Sequence, residues 1–169
     1  MRIALFAILA LWLSGCAQQP AKPLPALSTV WTMEAKIAFS SQQESGSAYA
    51  RFDASPGLFS GELQGTFGIG KTRIDCNLSY CNVSNQKGNQ RLWLTEGKLS
   101  LQPNLVLPVH QLPDWLVGKN LDSGVESGWT IEIQAWQEQN GLRLPQKLRL
   151  THADGNNLKI FVTRWTPGQ

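Results

Sequence analysis

WTIEIQAWQEQNGLRLPQKLRLTHADGNNLKIFVTRW, residues 129–165, carries the pattern on which the fold turns. Trp129, Ile131, Ile133 and Ala135 alternate with Thr130, Glu132, Gln134 and Trp136, the period of two that marks a half-buried strand. Asn140-Gly141 has the composition of a tight hairpin turn, and residues 146–152 and 158–165 repeat the alternation on either side of Asp154-Gly155. Three antiparallel strands that bury one common face follow. Upstream, Ala35, Ile37 and Phe39 alternate with Lys36, Ala38 and Ser40, and Ala48, Ala50, Phe52 and Ala54 alternate with Tyr49, Arg51 and Asp53. Residues 58–64, 72–77, 81–86 and 90–94 are further strand candidates, with Lys87-Gly88 at a tight turn. Between the two strand groups, Val109, Leu112, Trp115 and Leu116 fall at helical spacing, flanked by Pro108 and Pro113 and stopped by Gly118. The pattern predicts a mainly β domain in which a strongly curved antiparallel sheet forms an unclosed β barrel. A short helical lid covers the open side, over an apolar and partly hollow interior.

At the N-terminus, Leu13-Ser14-Gly15-Cys16 sets a small-residue pair and a cysteine directly behind an apolar run at residues 3–13, with Arg2 ahead of it. The run is well short of the roughly 18 residues that a spanning helix needs. This arrangement resembles the bacterial lipoprotein signal, which implies acylation of the Cys16 thiol, cleavage before it and acylation of the new amine. Each buried methylene of such chains contributes about 0.8 kcal/mol of membrane affinity, enough in sum to make the attachment permanent. The expected organisation is a signal peptide over residues 1–15, an acylated cysteine and tether over 16–29, and a β-barrel domain over 30–169. Pro20, Pro23 and Pro25 suit the tether to an extended form. Ala17 and Gln18 resemble the residues after the cysteine in outer-membrane lipoproteins, which implies anchoring at the periplasmic face of the outer membrane.

The formal charge of +3 falls by one when Arg2 is removed, and no two basic residues are adjacent, whereas nucleic-acid binding leaves a clustered basic footprint. Hydrophobic residues make up 42% of the chain and charged residues only 16%, so the domain has apolar surface to place. Cys76 and Cys81 flank Asn77-Leu78-Ser79-Tyr80, and in an exported chain a disulfide across that turn is expected. No further Cys and no paired His stands at metal-ligand spacing. His110 and His152 stand alone, no Ser lies in a nucleophile elbow, and neither catalytic residues nor a cofactor is expected.

Residues 65–72, Gly-Thr-Phe-Gly-Ile-Gly-Lys-Thr, satisfy the phosphate-binding loop pattern letter for letter. That loop needs a helix beginning at the lysine, whereas residues 72–76 alternate as a strand, and an exported protein meets no ATP. The segment reads better as a glycine-rich loop between two strands, with Phe67 and Ile69 at its tip and Gly61, Gly65, Gly68 and Gly70 around them. A ring there either folds back onto the core or inserts into a bilayer within reach of the tether; the scant packing surface of the glycines favours insertion.

Taken together, these residues resemble the LolB family of outer-membrane lipoprotein receptors. The resemblance rests on Ala35-Lys36-Ile37-Ala38-Phe39, Tyr49-Ala50-Arg51-Phe52, Thr66-Phe67-Gly68 and Asn85-Gln86-Lys87-Gly88. It continues through Leu107-Pro108, Leu112, Trp115-Leu116-Val117-Gly118, Gly128-Trp129, Leu144-Pro145, Leu148, Leu150, Leu158-Lys159-Ile160 and Trp165. It implies an unclosed β barrel with a helical lid and an acyl-chain cavity. By position, Phe67, with Gly68 and Ile69, corresponds to the loop that delivers cargo to the membrane. The implied function is a non-enzymatic, nucleotide-independent receptor, acting as a monomer, that takes lipoproteins from the periplasmic carrier LolA and inserts them into the outer membrane. Its partners would be LolA, the acyl chains of client lipoproteins and outer-membrane lipid.

Candidate cavity residues are Ile37, Phe39, Phe52, Trp115, Leu116, Ile131, Ile133, Leu148, Leu150 and Ile160, each of which taken singly also fits ordinary core packing. The chain departs from the family in a short segment before the first strand, little room at residues 95–104 for a second lid helix, and the cysteine pair. An alternative is an envelope lipoprotein that binds a protein partner without lipid cargo; a filled core would favour it.

Overall fold

A computed structural model describes residues 29–42, 45–65, 70–102 and 105–168. The expected signal peptide, Cys16 and most of the tether lie outside the described residues, as do Phe67, Gly68 and Ile69. The first six strands are β1 (Trp31–Ser40), β2 (Ser45–Ser55), β3 (Leu58–Gly65), β4 (Lys71–Cys76), β5 (Tyr80–Asn85) and β6 (Gly88–Trp93). A hairpin of β7 (Lys98–Gln102) and β8 (Leu105–Pro108), a short helix α1 (Leu112–Leu116) and a 3₁₀ segment (Leu121–Ser127) follow. The chain ends on β9 (Trp129–Gln139), β10 (Leu142–His152) and β11 (Asn157–Pro167), the meander read from residues 129–165.

Nine strands form one antiparallel sheet in the order β6-β5-β4-β3-β2-β1-β11-β10-β9. Pairing of β1 with β11 joins the first and last strands, Trp31 opposite Pro167 and Ser40 opposite Asn157, while β6 and β9 remain as edges. The barrel is therefore unclosed, and among the described residues the connection from β6 to β9 carries the elements that could cover the gap. Register shifts interrupt the wall on β10, against β9 between Pro145 and Leu148, and on β11: Glu34 faces Arg164 but Ala35 faces Val162, leaving Thr163 as the extra residue, with its hydroxyl donating to the Glu34 carbonyl at 3.0 Å. Such a bulge bends a strand and resets its alternation. Ile160 and Val162 are buried, and after the bulge so is Trp165, whose indole N–H donates to the Pro145 carbonyl at 2.9 Å.

The connection differs from the sequence reading. The helix is shorter than the span from Val109 to Leu116, because Pro113 allows a helix to begin but Gly118 is left-handed at φ +80° and ends it. Residues 98–108 form a hairpin, in line with the little room that residues 95–104 leave for a second lid helix. The 3₁₀ segment goes beyond the sequence reading; its limits, Asn120 and Gly128, are both left-handed, and its sequence has no apolar period.

Outward side chains on β1 to β4 and β11 pair by charge: Arg164 with Glu34 at 3.0 Å, Lys71 with Glu62 at 2.9 Å, Arg73 with Asp75 at 2.8 Å, and Arg51 with Asp53 at 3.1 Å. These exposed pairs contribute little individually. Burial pushes the Asp53 carboxyl up, but hydrogen bonds from the Arg51 guanidinium and the Thr32 hydroxyl, with the charge of Arg51, outweigh it and leave it below the ordinary 3.8. A depressed carboxylate adds stability that is present above its unfolded value and lost as pH falls through the folded one. Urea midpoints followed from about pH 5 to about pH 2 should therefore fall less steeply in Asp53→Asn than in the wild type.

Candidate functional site: the open end of the barrel

Because the strands run antiparallel, the turns alternate between two ends. One end holds the β1–β2, β3–β4, β5–β6 and β10–β11 turns. The other holds the β2–β3, β4–β5 and β9–β10 turns, together with the entry of the chain at Thr29 and Val30 and its exit at Gly168, whose N–H donates to the Val30 carbonyl at 2.7 Å. On β1 to β5 and β11, burial of the inward side chains changes from one end to the other. Along β1, Trp31, Met33 and Ala35 are at most 3% exposed, Ile37 is 7% and Phe39 is 38%. The neighbours agree: Ala54 and Phe59 are buried whereas Ala48 and Leu63, on the same strands, are half-buried, and β11 runs from buried Trp165 to half-buried Leu158. Aromatic rings and the Cys76–Cys81 disulfide plug the chain-entry end on these strands, whose inward face opens at the opposite one; on β9 and β10, Trp129, Ile131, Leu150 and His152 stay buried there.

At this mouth, the Phe39 ring lies across Gly46, where a Cβ would meet its Cε1 and Cζ at 2.8 Å; only glycine lets the ring rest against β2. Deeper in, Phe52 lies over Gly61 and stacks on Phe59 with ring centroids 5.8 Å apart. The β3–β4 loop joins its strands at the same end. Its base is closed by Gly65 N–H donating to the Gly70 carbonyl at 3.4 Å, with Gly70 at φ +74°. Lys71 begins strand β4 and pairs with Glu62, so the phosphate-loop lysine heads no helix.

The connection from β6 crosses the gap from the plugged end to the mouth. The Trp115 indole is wholly buried and donates to the Ser123 hydroxyl at 2.9 Å, which ties α1 to the 3₁₀ segment. Gly124 sits where a Cβ would collide with the Ile131 side chain and lie 2.9 Å from the Trp129 carbonyl, so the segment seats directly on β9. The Trp129 indole donates to the Val106 carbonyl at 2.8 Å, and its ring lies beside the buried His152, 4.9 Å away between ring centroids. The His152 Nδ1 contacts Asp154 Oδ1 at 2.8 Å. The backbone N–H of Asn156, above all, with the His152 contact, lowers the Asp154 carboxyl below its ordinary range and fastens the β10–β11 turn at the mouth.

Of the candidate cavity residues, Ile37, Trp115, Leu116, Ile131, Leu148, Leu150 and Ile160 lie together in one buried cluster. A side chain lining a water-sized void retains accessible surface, but Trp115, Leu148, Leu150 and Ile160 retain 2% or less. Around them the interior is filled, with the lid residue Trp115 as filler. Phe52 and Ile133 are half-buried and Phe39 is exposed. The mouth also uses Ala48, Leu63 and Leu158, which belong to the alternating patterns of their strands but gave no sign in the sequence of standing near an end.

The model of the family described as outer membrane lipoprotein LolB matches residues 29–165. The chain belongs to the LolB family. Relatives named outer-membrane lipoprotein LolB include those of Halorhodospira halophila, 24% identical over 154 residues, covering 80% of this chain and 75% of the relative, and of Ectopseudomonas mendocina, 29% identical over 156 residues, covering 82% and 76%. That of Stutzerimonas stutzeri is 28% identical over 161 residues, covering 82% and 75%. Membership places the chain among outer-membrane lipoproteins of lipoprotein localization, and the LolB match reaches from the start of the first strand into the last.

If Gly124 allows the lid to seat, Gly124→Ala should unseat it. We expect a loss of about 1–3 kcal/mol in unfolding free energy. Hydrogen exchange should quicken over residues 112–127 with little change in β1 and β11, and unchanged protection of the lid would contradict this packing.

Proposed function

We propose that this protein is the acceptor that takes lipoproteins from the periplasmic carrier LolA and inserts them into the outer membrane. It would do so without enzymatic chemistry and be held there through acylated Cys16. The observation that carries the reading is the meeting, at one end of a LolB-family barrel, of the apolar mouth around Phe39 and the loop bearing Thr66-Phe67-Gly68-Ile69. An acyl chain loses about 0.8 kcal/mol of burial for every methylene left in water, so handover without exposure needs an apolar opening and a route to the bilayer side by side.

In this reading, Phe39, Ala48, Leu63 and Leu158 meet the incoming chain. Its deeper entry requires the lid to move, since Trp115 fills the space between α1 and the core. Differences in apolar burial among carrier, mouth and bilayer drive each step. The tether joins the domain at the plugged end, opposite the Phe67 loop. Extended, residues 16–29 reach about 43 Å, against a strand length of about 33–36 Å. The loop can therefore touch the membrane in which the anchor is fixed. A second reading, a lipoprotein that binds a protein partner without lipid cargo, draws on the filled core around Trp115.

Transfer of a labelled lipoprotein from its carrier separates the two. Wild type should take up cargo and pass it to vesicles, whereas Phe67→Glu should take up cargo and retain it. Normal insertion by the variant would remove the loop from the mechanism, and no uptake by wild type would leave the second reading.

A further inference from the structure

The plugged end of the barrel carries exposed apolar side chains that neither the mouth nor the core uses. Leu58 in the β2–β3 hairpin, Leu78 at the tip of the β4–β5 turn and Trp93 at the end of β6 are 57%, 65% and 69% exposed. They stand on neighbouring strands at one end, and a Cβ on Gly57 would lie 3.8 Å from the Leu78 side chain, so the first two tips touch. Exposed apolar groups scattered singly need no explanation, but a cluster at the end of a domain does.

The turn beneath Leu78 is built to hold it out. Cys76 and Cys81 are disulfide-bonded with Cα atoms 4.0 Å apart. The Asn77 side-chain carbonyl accepts from the N–H groups of Ser79 and Tyr80 at 2.8 and 2.9 Å, and Asn77 N–H donates to the Tyr80 carbonyl at 3.0 Å. A rigid turn with leucine at its apex forgoes the burial that Leu78 would gain by folding inward. Beside it, Tyr80 meets Trp93 edge to face at 5.5 Å, and the Arg91 guanidinium lies 4.2 Å over the Tyr80 ring. Aromatic rings with a cation next to an apolar tip suit the boundary between acyl chains and phosphate headgroups.

We propose that this end is a second bilayer-contacting surface, on which the anchored protein rests with its mouth turned toward the periplasm. The occupant follows from where the chain enters. Residue 29 joins the domain at this same end, so the outer-membrane attachment brings lipid here before it brings it anywhere else. The inference rests on the reading above for the position of the anchor and the mouth, and adds to it a resting posture. Loading would occur with the plugged end down, and delivery would follow when the domain tips within the reach of its tether to bring the Phe67 loop to the same membrane.

The test uses the mature chain with Cys16→Ser, which removes acylation, and Phe67→Glu, which removes the other tip, sedimented with vesicles of phosphatidylethanolamine and phosphatidylglycerol. This parent should bind, and adding Leu58→Ser with Leu78→Asp should weaken partitioning about tenfold or more. In the acylated wild type, brominated lipid should quench a component of tryptophan emission that Trp93→Phe removes. Unchanged melting and carrier-to-protein cargo uptake by the Leu58/Leu78 variant would show that it folds. A parent that does not bind, a variant that binds as well as the parent, or absence of the Trp93 component would overturn the proposal. So would a concentration-dependent dimer that Leu78→Asp dissolves, which assigns the patch to a second copy. Failure of wild type to accept cargo would defeat the receptor reading while leaving the vesicle result standing.

Discussion

Everything else in this molecule depends on the pairing of β1 with β11. It brings together residues at opposite ends of the domain, so that the Thr163 hydroxyl reaches the Glu34 carbonyl across 129 positions of sequence. Closing so long a loop is entropically costly and is repaid only when the strands on both sides are in place. Once made, the pairing fuses the six-strand N-terminal meander and the three-strand C-terminal meander into one sheet. It leaves β6 and β9 as edges and obliges the connection between them to cross the opening. The bulge at Thr163 belongs to the same seam. By resetting the alternation it turns Trp165 inward beside Trp31, the rings meeting at 5.4 Å, and that pair helps to plug one end.

A barrel plugged at one end has a direction. Trp31, Phe59, Trp165 and the disulfide close the end where the chain enters, and on β1 to β5 and β11 the inward faces become accessible toward Phe39, whereas on β9 and β10 Trp129, Leu150 and His152 stay buried there. The lid follows this gradient. Trp115 fills the interior, while the 3₁₀ segment, seated on β9 through Gly124, reaches the mouth. A filled interior is compatible with a receptor only if the lid is the part that yields. Its make-up bears on this: α1 has only five residues and no side-chain cap, while Val109, Trp115 and Leu116 belong to the buried core and would have to leave it.

The strands and their inward faces were legible in the sequence because a one-sided antiparallel sheet imposes a period of two, and residues 129–165 keep it almost without interruption. The interruptions at Thr163 and between Pro145 and Leu148 were not legible, since a bulge appears only when the partner strand is known. The connection was harder. Val109, Leu112 and Leu116 have helical spacing, but prolines and left-handed glycines confine the helix to one turn. The hairpin at residues 98–108 is short and weakly patterned. As for the site, the candidate residues were chosen by apolar alternation, which finds what points inward but cannot tell depth. The result mixes the buried Leu148 and Leu150 with the exposed Phe39, although Leu150 pairs with Leu158, which faces Phe39. Ala48, Leu63 and Leu158 carry the same pattern and become distinctive only once strand direction and turn placement put them at one end.

The central claim is that acyl chains meet this barrel at the Phe39 end. Phe39 and Leu58 are both exposed apolar residues on the sheet, at opposite ends, and a photoreactive amino acid can replace either without disturbing the core. With a carrier-bound lipoprotein labelled in its acyl chains and no membrane present, the account predicts cross-linking from position 39 and none from position 58. Cross-linking from position 58 and not from 39 would contradict it.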